Sequence, residues 1–287
     1  MHAKSGKRLA GASCLALWLL MFGATHSLGA AAYRYQDLGT LTASYFSWAG
    51  GINDHGQVVG YSGTKCADGN YEPHAVLAAA GGPMEDLGTL AGGMSIADGY
   101  ISGANGLNSS GQVVGWSAAT LPDGTFVQHA IIKTATGAMQ DLGTLGGSTA
   151  GATAINDSGQ VVGWASTILP GGAPEQHAFL WTAAAGMQDL GTLGGGTSGA
   201  NGINHSSQVV GWSLAAGGVQ HAFVWTTAAG MGDLNNLVIN PPPGDFLSDA
   251  RAINTRGQIA GNTNKGRAFL LTPISTMPPI MELLLID

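Results

Sequence analysis

Hydrophobic residues along this chain occur in short runs, and each run is bounded by glycine, asparagine, aspartate or serine. The runs Val161–Trp164 and Ala178–Trp181 illustrate the pattern, since β-branched and aromatic residues dominate them and turn-forming residues follow closely. No long stretch repeats its apolar residues at the spacing of roughly three to four positions that marks an amphipathic helix. The pattern therefore predicts an all-β chain of short strands joined by tight turns.

The runs belong to a repeat that occurs five times, and each unit contains the same four segments in the same order. The first segment is DLGTL or a variant, at Asp37–Leu41, Asp86–Leu90, Asp141–Leu145, Asp189–Leu193 and Asp233–Leu237. The second is a short run that ends at Asn53, Asn108, Asn156, Asn204 or Asn254. The third resembles QVVGW and begins at Gln57, Gln112, Gln160, Gln208 or Gln258. The fourth resembles HAFLW and begins at His74, His129, His177 or His221, with Arg267 in the last unit.

Two of the connections within a unit have constant length and predict hairpins. The asparagine always stands four residues before the glutamine, and a glycine precedes that glutamine in all units but the fourth. Asparagine can hydrogen-bond its own turn and glycine accepts a positive φ, so N-x-x-G reads as a hairpin turn. Ser207 replaces the glycine in the fourth unit, so that turn is expected to be strained or of another type. Each histidine is also followed after ten residues by a methionine, which predicts a second hairpin.

Four short strands joined in this way form an antiparallel meander that cannot bury both of its faces alone. Radial packing of such meanders, as the blades of a β-propeller, buries them. We predict a five-bladed propeller over residues 33–271, with DLGTL as the outermost strand of each blade. The N-terminal strand near Tyr35–Leu41 would then complete the blade of Ala250–Leu271 and close the ring, leaving no open edge. The two variable connections would share one face of the disc.

The chain begins with the layout of a secretory signal peptide, predicted over residues 1–32. Lys4, Lys7 and Arg8 precede an apolar run, Leu9–Ala24, and small residues follow. A membrane anchor is the alternative, but the run is short for a span of roughly 20 residues. We therefore expect an exported protein, located outside the cell, at its surface or in the periplasm, with no membrane insertion of the mature chain. Residues 272–287 are expected to form a poorly ordered tail.

Charge and cysteine content restrict the partners of the mature chain. Removing three basic residues and no acid with the signal peptide takes the formal charge from −7 to −10. Such an acidic chain is a poor candidate for binding nucleic acid. Cys66 is then the single remaining cysteine, so no internal disulfide can form. We expect a monomer.

The repeated polar residues favour structural roles. One histidine per blade places His74, His129, His177 and His221 on a ring, too far apart for ligands that must each lie about 2 Å from one ion. The ten-residue spacing instead sets His177 near Thr192, within a residue of register, which predicts a structural hydrogen bond. The repeated aspartates recur in every blade, unlike a catalytic pair. No cofactor is expected, and calcium at these aspartates is the alternative.

No nucleophile elbow, zinc-protease motif or phosphate loop is present, so a localised function is expected where the blades differ. The variable loops carry charged and aromatic residues suited to recognition. The candidate ligand-binding residues are Asp68, Tyr71, Glu72, Tyr100, Asp123, Phe126, Glu175 and Phe246. No catalytic residue is assigned.

The phrases DLGTLGG, INDSGQVVGW and HAFLWT resemble the HAF-type extracellular repeat of exported bacterial proteins, over nearly all of residues 35–271. The strand order is similar to that of kelch propellers. The resemblance implies export and a propeller but no particular reaction. We therefore predict a non-catalytic binding or scaffold module that recognises a glycan or a cell-surface protein through its variable-loop face.

Two other functions remain as alternatives to a binding module. The first is an enzyme acting on polysaccharide, a glycosidase or lyase. It requires two acids from different blades to converge at the channel mouth, among Asp68, Glu72, Asp98, Asp123, Glu175, Asp245 and Asp249. The second is a structural component of a matrix, which predicts no small ligand.

Overall fold

A computed structural model of the chain describes residues 36–41, 46–65, 71–79, 82–90, 101–120, 124–134, 136–168, 174–239 and 244–274. The chain divides into two compact units, Met1–Asp37 and Leu38–Asp287. Only residues 36 and 37 of the first unit are described, so the predicted signal peptide lies outside the described residues. The predicted tail is described only over residues 272–274, which have no regular structure. Among the described residues, no helix is long and apolar enough to cross a membrane.

The described residues of the second unit form nineteen strands, numbered here in chain order, which confirms the all-β prediction. The first sheet contains β1 (Ser47–Ile52), β2 (Val58–Lys65), β3 (Tyr71–Ala78) and β4 (Met84–Gly88). The second contains β5 (Ser102–Leu107), β6 (Val113–Thr120), β7 (Phe126–Lys133) and β8 (Met139–Asp141). The third contains β10 (Val161–Ile168), β11 (Pro174–Thr182) and β12 (Gly186–Asp189), and β9 (Gly146–Ile155) lies beside β10. The fourth contains β13 (Gly194–Ile203), β14 (Val209–Ala215), β15 (Gln220–Thr226) and β16 (Gly230–Asp233), and the fifth contains β17 (Leu247–Ile253), β18 (Ile259–Thr263) and β19 (Ala268–Leu271).

Each complete sheet contains the second, third and fourth segments of one sequence unit and the first segment of the next unit. The first sheet begins at the run before Asn53 and ends with the DLG strand of the next unit, β4, which pairs only with β3. The second and fourth sheets have the same order. The DLGTL segment thus supplies an edge strand of these sheets, called here the outer strand. Because neighbouring strands are antiparallel, the two constant turns lie at one end of each sheet, called here the turn end.

The N-x-x-G segment is the predicted hairpin turn. In the third unit, the Gly159 amide donates to the Asn156 carbonyl over 3.0 Å, and the Asn156 amide donates to the Gln160 carbonyl over 3.1 Å. Gly159 has φ of +74°, a conformation that glycine adopts without steric cost. Ser207 keeps the same turn in the fourth unit with φ of +60°. The prediction of strain at Ser207 is thus confirmed, since a side chain in this region costs about 1–2 kcal/mol.

Adjacent sheets pack face to face and bury the alternating valines of the QVVGW strands. Val161 is fully buried in one core cluster with Ala152 and Phe179, while Val162 points the other way into the next cluster with Val209 and Phe223. Each inner sheet is therefore covered on both faces by its neighbours. Five antiparallel sheets packed in series in this way are consistent with a β-propeller-like fold.

The tryptophans contribute to this packing. Trp181 and Trp225, at the ends of their HAFLW strands, are 8 % and 6 % exposed and belong to the core clusters. The tryptophan of the QVVGW strand lies instead over a glycine of the neighbouring strand, as Trp164 does over Gly151. An indole thus covers backbone that the glycine would otherwise leave exposed.

Candidate functional site

Each repeated histidine is hydrogen-bonded to the aspartate of the adjacent outer strand. The histidine Nδ1 donates to the carboxylate over 2.9 Å in His74–Asp86, 2.7 Å in His129–Asp141, 2.8 Å in His177–Asp189 and 2.7 Å in His221–Asp233. The other oxygen of the carboxylate accepts the amide of the residue two positions on, as Gly191 donates to Asp189 over 2.7 Å. The pair therefore pins the short outer strand and its turn to the sheet.

The predicted role of these histidines was correct in kind, but the predicted partner was wrong. Phe179 pairs with Asp189 across the two strands, so Asp189 rather than Thr192 lies beside His177. Thr192 instead donates to the Gly195 carbonyl over 2.7 Å and closes the next turn. The offset arises because the outer strand ends at the aspartate, and the chain turns away before it reaches the threonine.

The pairing changes the acidity of two of the aspartates. Burial alone raises the pKa of Asp233, but hydrogen bonds from His221 and Asn235 outweigh it and leave the pKa below its usual value. Asp86 behaves in the same way, because burial is outweighed by the bonds from His74 and the Gly88 amide, and its pKa is lowered. These carboxylates are therefore kept ionised as hydrogen-bond acceptors.

Five of the eight variable-loop residues predicted to bind a ligand are described, and they lie on or beside four different sheets. Asp68, Tyr100 and Asp123 lie outside the described residues, and Phe126 is described only by its backbone, at the start of β7. Tyr71 and Glu72 begin β3, where Glu72 is 8 % exposed and pairs with Thr64. Glu175 lies on the third sheet, 3.6 Å from His177 Nε2. The Phe246 ring packs against His221, with ring centroids 5.2 Å apart.

Asp245 and Asp249 of the fifth unit, two of the seven acids named by the enzyme hypothesis, form ion pairs with arginines. Asp245 accepts hydrogen bonds from Arg267 Nε and Nη2 at 3.1 and 2.7 Å. Asp249 accepts from Asn201 over 2.7 Å and pairs with Arg251 over 2.6 Å. Burial raises the pKa of Asp249 despite the neighbouring Arg251. Arg267 stands where the other units have histidine, and it bonds an aspartate that precedes β17 in its own unit rather than an aspartate of an outer strand.

The asparagines of the five turns form a hydrogen-bonded ladder at the turn end. The side-chain oxygen of Asn156 accepts the Gln160 amide over 3.0 Å, and its Nδ2 donates to Gln160 Oε1 over 2.7 Å. Nδ2 also donates to the Asn204 carbonyl of the next turn over 3.0 Å. The same cross-turn bond joins Asn53 to Asn108, Asn108 to Asn156, and Asn204 to Asn254, each over 3.1 Å. The ladder therefore holds all five turns side by side.

The five turns together line a cavity of about 350 Å³. The residue that follows each ladder asparagine lies on its wall, and the repeat does not conserve this position: the residues are Asp54, Ser109, Asp157, His205 and Thr255. Below them, the wall carries the apolar residues Leu107, Ile155, Ile203 and Ile253 that precede the asparagines. The cavity wall therefore carries two carboxylates from different sheets, one imidazole and two hydroxyl groups.

None of these five residues was among the predicted ligand-binding residues, although the sequence contains a signal for them. Asparagine and glutamine recur in every turn, while the residue after the asparagine changes from unit to unit. A variable position inside a constant phrase is not needed by the turn and is free to serve a ligand. The predicted residues came from the connections of variable length, which lie at the opposite end of the sheets.

Asp157 on the cavity wall accepts hydrogen bonds from the neighbouring turn, and these bonds affect its pKa. The backbone amide of Ser109 donates to Asp157 Oδ1 over 2.9 Å, and the Ser109 hydroxyl donates to the same oxygen. These two bonds, together with the nearby His205, lower the pKa of Asp157. Asp157 is therefore an anion at neutral pH with its second oxygen directed away from these bonds. Asp54 and His205 are exposed at the same rim.

No group of three or more histidine, cysteine, aspartate or glutamate side chains is arranged to hold a metal ion within the part of the chain that the structure describes. Compared with known proteins, the chain matches no protein-family model and no curated protein sequence.

Proposed function

We propose that this protein is an exported, non-catalytic binding module of the HAF-type repeat family, built as a closed five-bladed propeller. Its ligand is a glycan or protein of a cell surface, bound at the mouth of the turn-end cavity. The observation that carries the proposal is that all five turns contribute to one cavity through the position at which they differ. Binding sites are concave and combine apolar walls with a few polar groups, as this cavity does.

Closure of the ring is supported by the contacts of the first DLGTL segment. The Leu41 amide donates to Ser62 Oγ over 2.9 Å and Ser47 Oγ donates to the Gly39 carbonyl over 3.0 Å. Leu193 bonds Ser213 over 2.9 Å in the corresponding way, directly after the outer strand β12. Residues 39–41 thus lie on the first sheet as if an outer strand of a preceding blade came before them. The fifth sheet is the one with no outer strand among the described residues.

The exposed faces of the first and fifth sheets also support closure. Ala104, Ala152, Ala200 and Ala250 are at most 2 % exposed because the preceding sheet covers them. Their counterpart Ala49 is exposed, and Ile52 nearby is 69 % exposed. At the other end, Ala260 is exposed where Val162 is buried, and Leu270 is 65 % exposed where Leu180 is 6 % exposed. These apolar faces are complementary, so packing them together would remove both from water.

An engineered disulfide tests closure. In the third sheet the Leu190 amide donates to the Ala178 carbonyl, so Leu38 is expected to lie beside Ala268. In a Cys66→Ser background, Leu38→Cys with Ala268→Cys is expected to form an intramolecular disulfide, because paired cross-strand Cβ atoms lie about 4.5–5.5 Å apart. Leu38→Cys with Phe269→Cys is the matched control, since a one-residue slip points the two side chains to opposite faces. Equal cross-linking of both pairs, or disulfide-linked dimers, would contradict closure.

Binding is favoured over polysaccharide hydrolysis by the acidity of the cavity. A glycosidase needs one carboxyl group whose raised pKa keeps it protonated as the general acid. The pKa of Asp157 is lowered instead, and hydrogen bonds from Ser109 occupy one of its oxygens. Asp249, the carboxyl whose pKa is raised, bonds Asn201 and Arg251. The cavity thus presents Asp157 as a fixed anion, which suits binding of a ligand and not general acid catalysis.

Blocking the cavity tests the proposed function. His205→Trp places an indole at the rim, whereas Ser206→Trp alters the next, exposed residue of the same turn outside the cavity wall. Binding of the mature chain to intact cells of its source, or to a glycan array, is expected to fall at least tenfold for His205→Trp and to change little for Ser206→Trp. Full binding by His205→Trp, with loss on Tyr71→Ala or Glu175→Gln, would move the site to the variable-loop face.

A further inference from the structure

We infer that the turn-end cavity recognises a primary ammonium group on an alkyl stem, presented as the lysine side chain of a protein partner. The inference rests on the proposed function and specifies its ligand. It combines three features of the cavity: an apolar wall, a rim of acceptors spread around a ring, and fixed negative charge.

The apolar wall favours an alkyl chain over a sugar. Leu107, Ile155, Ile203 and Ile253 supply aliphatic carbon beneath the rim, one from each of the second to fifth units. Among the described residues, the cavity wall carries no phenylalanine, tyrosine or tryptophan, the side chains whose flat faces stack on ring-shaped ligands. An aliphatic stem is stabilised by each methylene group that it buries against such a wall. The aliphatic stem of lysine therefore packs against this apolar wall more favourably than a hydroxylated pyranose ring does.

The rim favours an ammonium group over a guanidinium group. Its charged acceptors, the carboxylates of Asp54 and Asp157, come from the first and third turns, with Ser109 of the second turn between them. The Thr255 hydroxyl on the fifth turn adds a neutral acceptor. An ammonium group directs three donors to separate points, whereas the planar guanidinium fork pairs best with a single carboxylate. Acceptors distributed around a ring therefore match lysine.

The charge of the rim supports the same choice. Asp157 is held ionised, since hydrogen bonds from Ser109 lower its pKa. The chain as a whole is acidic, with a formal charge of −7, and such a field raises the association rate of cationic ligands.

A set of short peptides tests the inference by calorimetry. The probe is acetyl-Gly-Lys-Gly-amide, and the controls replace lysine by norleucine, Nε-acetyl-lysine or arginine. The lysine peptide is expected to bind at least tenfold more tightly than the norleucine and acetyl-lysine peptides, and more tightly than the arginine peptide. Asp157→Asn and Asp54→Asn are expected to weaken it by about tenfold each, whereas Glu85→Gln removes an equal charge from an exposed position on β4 and leaves it unchanged.

Failure of this inference is distinguishable from failure of the proposed function. Equal binding of the lysine and norleucine peptides, or no binding of either, overturns the lysine assignment. If His205→Trp still abolishes binding to cells or glycans in that case, the cavity binds another ligand and the proposed function stands. If His205→Trp also binds cells and glycans normally, both the lysine assignment and the proposed function are wrong. Lysine-specific binding that survives Asp54→Asn combined with Asp157→Asn would likewise overturn the inference.

Discussion

Replacing Gly163 with alanine is expected to destabilise the protein by about 3 kcal/mol, because the added methyl group would overpack the sheet. Gly163 is the glycine of QVVGW in the third unit. A Cβ atom there would overlap the Gly151 carbonyl oxygen of β9 and would also meet Phe179, which is fully buried. Neither the backbone nor a buried ring can move away cheaply. The measurement is the free energy of unfolding in urea, monitored by tryptophan fluorescence.

Gly232→Ala is the matched control for this experiment. Gly232 also lies in a strand, β16, but a Cβ there would meet Leu237 and the Val224 carbonyl at 3.5 and 3.6 Å, which are ordinary contacts. The control is expected to change the free energy of unfolding by less than about 1 kcal/mol. Similar losses for both variants would mean that the close approach at Gly163 does not limit the packing.

Replacing Asn156 with alanine is expected to cost about 3 kcal/mol of stability. Asn156 is 6 % exposed and forms the third step of the ladder. Its removal leaves the Gln160 and Ser158 amides without their side-chain acceptor. Gln160 Oε1 and the Asn204 carbonyl each lose one donor and keep Ser207 as a partner. Each buried polar group left unsatisfied costs about 1–3 kcal/mol. Asn156→Asp is expected to be no better, because a carboxylate would then face two acceptor oxygens.

The control for Asn156 is Asn236→Ala, which removes the same side chain from an exposed position at the end of a short 3-10 helix, Leu234–Asn236. Its free energy of unfolding is expected to change by at most about 0.5 kcal/mol. If alanine is tolerated equally at both positions, the ladder contributes nothing to holding the turns together.

Some features were accessible from the sequence because they depend on neighbouring residues. The constant interval between Asn156 and Gln160 identified a hairpin, and the structure has that hairpin with Gly159 at positive φ. Strain at Ser207 followed from the same local chemistry. The five-fold repetition predicted five similar sheets. Turn geometry and the alternation of buried and exposed side chains along a strand are set by a few adjacent residues. Both can therefore be recognised in a repeated sequence.

Other features depend on how sheets meet and were not accessible in this way. The partner of His177 is Asp189 rather than Thr192, because the end of a short outer strand decides the final register. That Asp245 pairs with Arg267, which lies 22 residues further along the chain, also depends on packing across strands. A count of residues between two positions does not contain that information.

By itself, the sequence determined that this protein is an all-β repeat with tight turns at constant positions, because those properties arise within each unit. Only the tertiary structure decided which end of the sheets forms a cavity. Asp54, Ser109, Asp157, His205 and Thr255 are separated by about fifty residues along the chain. They meet because the asparagine ladder and the buried valines hold five separate turns side by side. Such convergence depends on packing between units, so it cannot be recognised in the sequence of any single unit.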